Sequence, residues 1–340
     1  MFFIDYAQLK AKSSPMFRLA HISDIHLSPL PQVRLRELAS KRITGYINWK
    51  RHRKGAMHDW VLEGLIKDLQ SHKPDHIAVT GDLVNLALNL EIDNGFEWLK
   101  QLGSQEDVSF VPGNHDAYVP GALDKSCCKW EPWMRGDGID NREKRPKFPY
   151  LRVRDGVAII GVSSARATGP FMASGDFLPA QAARLKKMLI ETGEQGLCRV
   201  ILIHHPPIRN ATPAYKRLFG IGRFQKVIRE AGAELVLHGH THLATYNEIA
   251  SPNGAVPVIC VPSASQAPYP IGHEGRKPPA RYNLFSIEAL DQPQSWQCHW
   301  QQYGFTGENT DVQLIGERTL MLGKAAPQIS AATIPAASAE

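Results

Sequence analysis

Five short polar clusters, spread from residue 24 to residue 242, each follow a run of apolar residues. In order they are Asp24-Ile25-His26, Gly81-Asp82, Gly113-Asn114-His115-Asp116, His204-His205-Pro206-Pro207 and Gly239-His240-Thr241-His242. A short apolar run bounded by Gly, Pro or polar residues reads as a buried strand. Repetition of that pattern is the constraint. It gathers polar groups at one edge of a sheet, where side chains from distant parts of a chain converge on metal ions.

The expected strands ahead of the clusters are residues 17–23, 76–80, 108–111, 200–203 and 234–237, with another at 157–162. Later strands are expected at 256–261, 282–287 and 296–300. Apolar residues at helical spacing mark 60–70, where Val61, Leu62, Leu65, Ile66 and Leu69 share a face; 96–102, 179–190 and 224–230 also read as helices. The stretch 127–149, rich in charge, Gly and Pro, reads as a long loop. Strand–helix alternation followed by strands implies a layered α/β sandwich, two sheets packed together with helices outside. No internal repeat is visible.

The chain has 340 residues, 43% of them apolar, enough for a sizeable core. Its formal charge of +6 and pI near 9.0 favour anionic partners such as phosphates, nucleic acid or a membrane surface, without choosing among them. The five cysteines, Cys127, Cys128, Cys198, Cys260 and Cys298, are odd in number and lack zinc-ribbon spacing. A reduced, cytoplasmic compartment is the simplest expectation. Residues 1–15 hold no continuous apolar core of a signal peptide, and read as a disordered extension or a misassigned start before Met16. No stretch is apolar for long enough to span a bilayer. From Ala325 the chain is Ala/Pro/Ser-rich. The domain is therefore expected over 16–318, with an insert at about 28–58 and a disordered tail over 319–340.

The clusters suit phosphoryl chemistry. A phosphate diester resists hydrolysis because its negative charge repels hydroxide. Two cations roughly 3.5–4 Å apart relieve this by polarising the phosphate and turning a bound water into hydroxide. The chain offers oxygens from Asp24, Asp82 and Asn114 and nitrogens from His26, His204, His240 and His242. With no cysteine in the set, Mn, Fe, Zn or Co fit better than a sulfur-bound metal. Asp82, alone on its strand end, is the natural bridge between the ions. His115, next to Asn114, is placed to act as a general acid or as a cation steadying the phosphoryl oxygens. Either Asp116 or Asn85 can orient it. Singly, Asp-x-His and Gly-Asp are common surface and turn motifs. Gly-Asn-His-Asp has a bland reading as a hairpin or helix-capping turn. All five in order, each at a strand end, carry the functional reading.

This constellation resembles the calcineurin-like metallophosphoesterase superfamily over about residues 19–243. The resemblance implies a four-layer αββα sandwich. It implies that Asp24, His26 and His242 bind one metal, that Asn114, His204 and His240 bind the other, that Asp82 bridges them, and that His115 is the catalytic histidine. In His204-His205 the family's ligand falls on the first residue, leaving His205 a supporting role. The Asp-Arg that follows the bridging aspartate in protein Ser/Thr phosphatases is replaced by Asp82-Leu83-Val84-Asn85. Histidine at 115 differs from the arginine of bacterial UDP-diacylglucosamine hydrolases. What remains is most similar to class III cyclic-nucleotide phosphodiesterases. The implied activity is a dimetal phosphoesterase, more a diesterase than a monoesterase, using metal-bound hydroxide on an anionic phosphate substrate. Rival readings are a pyrophosphohydrolase acting on a lipid-linked nucleotide sugar, a nuclease, and a scaffold that has lost turnover.

Several residues stand outside that set. His238 and His21 read as core or strand histidines, and His52, His58 and His72 as solvated. His273 lies in a Gly/Pro loop where a substrate contact is conceivable. In the insert, Arg34, Arg36, Lys41, Arg42, Lys50, Arg51, Arg53 and Lys54 face only Glu37, and are interleaved with Leu35, Leu38, Ile43, Tyr46, Ile47 and Trp49. The insert reads as a solvated helix, a cap over an anionic substrate, or a basic amphipathic surface for peripheral contact with acidic lipid. No base-reading module is visible, which argues against nucleic acid.

Overall fold

The computed structural model describes residues 16–38, 40–53, 57–139, 145–268, 277–307 and 311–326, with the side chains at 52 and 53 excepted. The expected extension over 1–15, most of the expected tail, Lys54 and His273 lie outside the described residues.

The strands are β1 (Phe17–Ile22), β2 (His76–Val79), β3 (Val108–Phe110), β4 (Tyr150–Arg154), β5 (Val157–Gly161), β6 (Gly175–Asp176), β7 (Cys198–Leu202), β8 (Leu218–Phe219), β9 (Leu235–His238), β10 (Thr245–Ser251), β11 (Gly254–Cys260), β12 (Arg281–Ala289), β13 (Ser295–Gly304) and β14 (Gln313–Gly323). The α-helices are α1 (Arg42–Asn48), α2 (Asp59–Ser71), α3 (Asn89–Leu102), α4 (Ala122–Trp130), α5 (Pro179–Glu194) and α6 (Ile221–Ala231). One sheet has the order β14-β13-β12-β1-β2-β3 and the other β10-β11-β9-β7-β5-β4, while β6 and β8 form a small separate pair. β1, β2 and β3 run parallel, as do β5, β7, β9 and β11, while β12, β13 and β14 in the first sheet and β4 and β10 in the second pair antiparallel.

The expected layering holds, and its cause is visible in the strand periodicity. In β7, Cys198, Val200 and Leu202 face the layer between the sheets, whereas Ile201, with Ile203 just beyond the strand, packs outward with α5 and α6. β9 divides the same way, with Leu235 and Leu237 inward and Val236 outward. A strand apolar at every position has both faces covered. On the outer side α5 contributes Ala182, Leu185 and Leu189, and α6 contributes Phe224, Val227 and Ile228. On the first sheet α2 buries Val61, Leu62, Leu65 and Leu69.

Three expectations are corrected. Part of 127–149 is helical: α4 buries Ala122, Ser126, Cys127 and Trp130, and a 3₁₀ turn follows at Glu131–Met134. The chain beyond 318 is not all tail, because β14 continues to Gly323 and Leu322 is fully buried. His72 is not simply solvated: its ring lies 4.5 Å from that of Tyr303, and the Tyr282 hydroxyl meets its Nδ1 at 3.0 Å. Within 28–58 the chain forms a 3₁₀ turn at Leu35–Leu38, α1, and a π turn at Trp49–Arg53. The five cysteines are free thiols, and no helix among the described residues is long and apolar enough to cross a membrane.

One buried ion pair ties α5, α6 and the second sheet together. The Arg199 guanidinium donates to both oxygens of Glu234, at 2.8 and 2.6 Å, and to the carbonyls of Leu189 and Ala231. Both side chains are almost completely buried. Arg199→Met should cost about 3–5 kcal/mol, because it strands the Glu234 carboxylate in the core. Urea unfolding of the two proteins measures this; an unchanged midpoint would contradict it.

Candidate metal centre

Each parallel strand delivers one turn to a single edge. Asp24 and His26 follow β1, Asp82 follows β2, Asn114 and His115 follow β3, His204 follows β7, and His240 and His242 follow β9. The ends of β5 and β11 supply supporting serines: Ser164 Oγ meets His205 Nδ1 at 2.8 Å, and Ser263 Oγ donates to the Asp24 carbonyl at 2.6 Å. The two sheets are joined here by a bridge between Ser23 and Ser263 and by the Ala264 amide donating to the Ser23 carbonyl.

The sequence-selected residues come together. Donor atoms of Asp24, His26 and His242 lie within 4.8 Å of one another, as do those of Asp24, Asp82 and His204, and those of His26, Asp82 and His115. His204, His205 and His240 form a further such group. His205 is nevertheless committed elsewhere. Its Nδ1 is held by Ser164 and its Nε2 donates to the Ala173 carbonyl at 3.1 Å. His21 and His238 are buried and turned to other partners, the Thr80 hydroxyl for His21 and the Gly239 carbonyl for His238.

Main-chain carbonyls fix the ring protons. A carbonyl only accepts, so the nitrogen facing it carries hydrogen. His204 Nδ1–H donates to Thr80 at 2.6 Å, His26 Nδ1–H to Val84 at 3.2 Å, and His240 Nε2–H to Lys216 at 3.0 Å. In the neutral form of each ring the other nitrogen is a lone pair turned inward. His204 Nε2 sits 3.3 Å from Asp82 Oδ2 and 3.3 Å from Asn114 Oδ1. Acceptors converging in this way require a shared proton or a cation between them. This donor set of imidazole nitrogens, carboxylates and an amide oxygen fits a pair of metal ions.

The electrostatics agree. Burial would raise the Asp82 carboxyl, but His204, His115 and His26 overcome it and hold Asp82 well below the usual carboxylate range. Burial would likewise raise Asp24, and His242 brings it far down. Burial lowers His204, yet Asp82 carries it up to about 9, so the cluster draws positive charge to itself. Burial, with His205 and His204 adding repulsion, keeps His240 well below its ordinary value, hence neutral.

Backbone strain concentrates at these positions. Asp24, His26, Asp82, His240 and His242 all have left-handed φ, of 53°, 45°, 56°, 71° and 58°. Each such conformation costs of order 1–3 kcal/mol, and persists only where surrounding structure over-determines it. Two features do so. First, the fully buried Asp116 accepts from the amides of Gly113 (2.8 Å), Asp82 (2.9 Å), Leu83 (2.9 Å) and Val84 (3.3 Å). Asp116 thus knots the β2 and β3 turns together; it is Asn85, through its carbonyl, that takes the His115 Nδ1–H at 2.6 Å. Second, glycines allow close approach. A Cβ on Gly113 would sit 2.2 Å from Asp82 Oδ1, and one on Gly239 would sit 1.8 Å from Ser23 Oγ and 2.5 Å from Asp24 Oδ2. Sequence reasoning missed Glu91, whose carboxylate accepts from the amides of Asn85, Leu86 and Leu88 and so shapes the loop beneath His115. Its place at the start of α3 was the available signal.

A cavity of about 360 Å³ opens over Asp82, Asn114 and His115, and its wall includes Lys41, Gly45 and Arg51 from the 28–58 segment. That segment is seated firmly. Arg42 donates to the carbonyls of Leu86 and Ala87 at 2.9 and 2.6 Å, and Lys41 Nζ to Thr168 Oγ1 and the Met172 carbonyl, both at 2.7 Å. Gly45 lies so close to Tyr118 that a Cβ would fall 2.1 Å from its hydroxyl oxygen. Burial pushes the Lys41 ammonium down to about 8.

A family model for the calcineurin-like phosphoesterases matches residues 17–244, which contain all five clusters, and the chain belongs to that family. Members act on phosphate esters with a dimetal centre, and the His/Asp groups described above fit that use. Comparison with curated proteins gave no match. Among solved structures, the fold is similar to that of a dimetal phosphatase from Danio rerio, with 11% identity and a TM-score of 0.54 over 89% of this chain and 99% of that one. It is also similar to the purple acid phosphatase PPD1 from yellow lupin, Lupinus luteus, with 13% identity and a TM-score of 0.52 over 94% of this chain and 58% of that one. At these identities the likeness is one of fold.

Gly113→Ala should displace the Asp82 carboxylate, since the added methyl would overlap it. The variant is expected to lose bound metal about 10–100-fold more readily than the parent, by analogy with disturbed outer-shell support. Elemental analysis after dialysis against a weak chelator measures this, and equal retention would contradict it.

Proposed function

We propose that the chain is a dimetal phosphodiesterase in which Asp24, His26 and His242 hold one cation, Asn114, His204 and His240 hold the other, and Asp82 bridges them. One observation carries this reading. Asp82 Oδ2 lies between the two groups, 4.0 Å from His26 Nε2 and 3.3 Å from His204 Nε2, while Oδ1 is fixed by the His115 amide at 2.7 Å. On the first side Asp24 Oδ1 is 3.0 Å from His242 Nε2. Cations held there would supply Lewis-acid polarisation of the phosphoryl group and activation of water.

The rest of the reaction falls to the chain itself. His115 donates Nδ1–H to the Asn85 carbonyl, so Nε2 is the nitrogen that exchanges a proton. The ring is stacked on Tyr118 at 5.3 Å and edge-on to His26 at 4.8 Å, which holds it over the cluster. In this role it gives its proton to the departing alkoxide. The cavity runs from Asp82 to Lys41, Arg51 and Lys277, longer than a bare phosphate needs, and so suits an ester substituted on both sides. Lys41 and Arg51 hold the anionic part beyond the scissile group. The Asp82-Leu83-Val84 run, without the arginine of protein phosphatases, supports a small or lipidic ester over a phosphoprotein.

A metal-supplemented screen of bis(p-nitrophenyl) phosphate, p-nitrophenyl phosphate, cyclic nucleotides and lipid diphosphates tests the class. Faster turnover of the diester than of the monoester is expected, and the reverse order would refute the diesterase reading. Asp82→Asn should cut activity by more than about 100-fold and loosen metal, because the bridge loses its charge. Full metal content with full rate would remove Asp82 from this role. His115→Ala should keep both metals and slow esters of poor leaving groups by about 10²–10⁴-fold, with a smaller loss on nitrophenyl esters. Equal losses on both would contradict proton donation.

A further inference from the structure

The mouth of the cavity carries apolar side chains that a water-soluble ester would leave in water. Phe171, 81% exposed, and Ile47, 44% exposed, sit on its wall with Met172 and Tyr215. Ile43, one helical turn before Ile47 and 50% exposed, continues the stripe along α1. Leu35, 88% exposed, stands on the 3₁₀ turn that packs against α1. These are not core residues waiting for a partner within the domain. The inward contacts of α1 are already made by Arg42, by Gly45 against Tyr118, and by Tyr46, which packs on the core.

Cations accompany the stripe. Arg34 and Arg36 are exposed beside Leu35, Arg51 lies on the cavity wall, and Lys50 precedes it. Exposed aliphatic and aromatic groups rimmed by Lys and Arg match the interface of an anionic bilayer, where apolar groups enter the acyl boundary and cations meet the headgroups. A single-stranded nucleic acid would use the cations and aromatic faces, but gives no use to Leu35, Ile43 and Ile47.

We infer that this rim seats on an anionic lipid surface, and that the ester cleaved there is a phosphodiester bearing a lipid tail. The second half rests on the phosphoesterase reading above. Water adds across one P–O bond, and the leaving oxygen takes the proton. The tail stays with the bilayer along Phe171 and Ile47 while the phosphoryl group reaches Asp82 and His115.

Sedimentation of the full chain with vesicles of phosphatidylcholine, alone or with one third phosphatidylglycerol, tests the surface. Binding at least about 10-fold tighter to the anionic vesicles is expected. The double variant Leu35→Glu/Ile43→Glu should lose that preference. It should also hydrolyse the phosphatidylglycerol of those vesicles at least about 10-fold more slowly. Its rate on soluble bis(p-nitrophenyl) phosphate should match that of the parent, which also shows that it is folded. No preference for anionic vesicles, or a double variant that binds them as the parent does, would overturn the inference. So would single-stranded DNA binding in the absence of vesicle binding. A parent that binds vesicles but hydrolyses no ester with any divalent metal supports the surface and counts against the catalytic reading alone.

Discussion

Two carboxylates, Asp24 and Asp82, are buried within 4.8 Å of each other and of His204, and almost every local feature of this edge answers to that placement. Anions in a low-dielectric interior repel one another and lose their hydration. Their neighbours here are imidazoles and backbone amides. His242 stands beside Asp24, His204 beside Asp82, and the amides of His240 and His115 donate to one oxygen of each. The remaining oxygens face imidazole nitrogens, His242 Nε2 at 3.0 Å from Asp24 and His204 Nε2 at 3.3 Å from Asp82. Positive charge, from ring protons or from cations, balances such a set.

The strain is held from outside. Asp116 gathers amides from two turns, the main-chain carbonyls of Thr80, Val84 and Lys216 fix ring orientation, and Gly113 and Gly239 remove the atoms that would otherwise collide with the carboxylates. None of these groups is among the candidate ligands. They set the positions of those that are, on the ends of strands whose two faces are buried in apolar layers. The rigid sandwich and the strained edge are thus parts of one arrangement, the first supplying the stability that the second consumes.

Much of this was legible from the residues alone. Apolar runs before Asp24, Asp82, Asn114, His204 and His240 located β1, β2, β3, β7 and β9 to within a residue or two. Their two-sided burial made most positions apolar and the signal strong. The edge strands β10 and β14 were not legible, because one or both faces meet solvent and their polar residues break the pattern. α4 was hidden for a related reason: its buried face is short, and the Gly- and Pro-rich stretch after it reads as loop. The choice between Asp116 and Asn85 as the partner of His115 could not be made from spacing. It depends on which way the β3 turn folds back over the β2 turn. Nor does the sequence place Lys41 against Thr168, a contact across 127 residues.

The bridge between Ser23 and Ser263 has a consequence for how the protein comes into being. Asp24 and the serine that clasps its carbonyl stand 239 residues apart, the one after β1 and the other after β11 of the second sheet. A growing polypeptide therefore cannot close this clasp until Ser263 has been made.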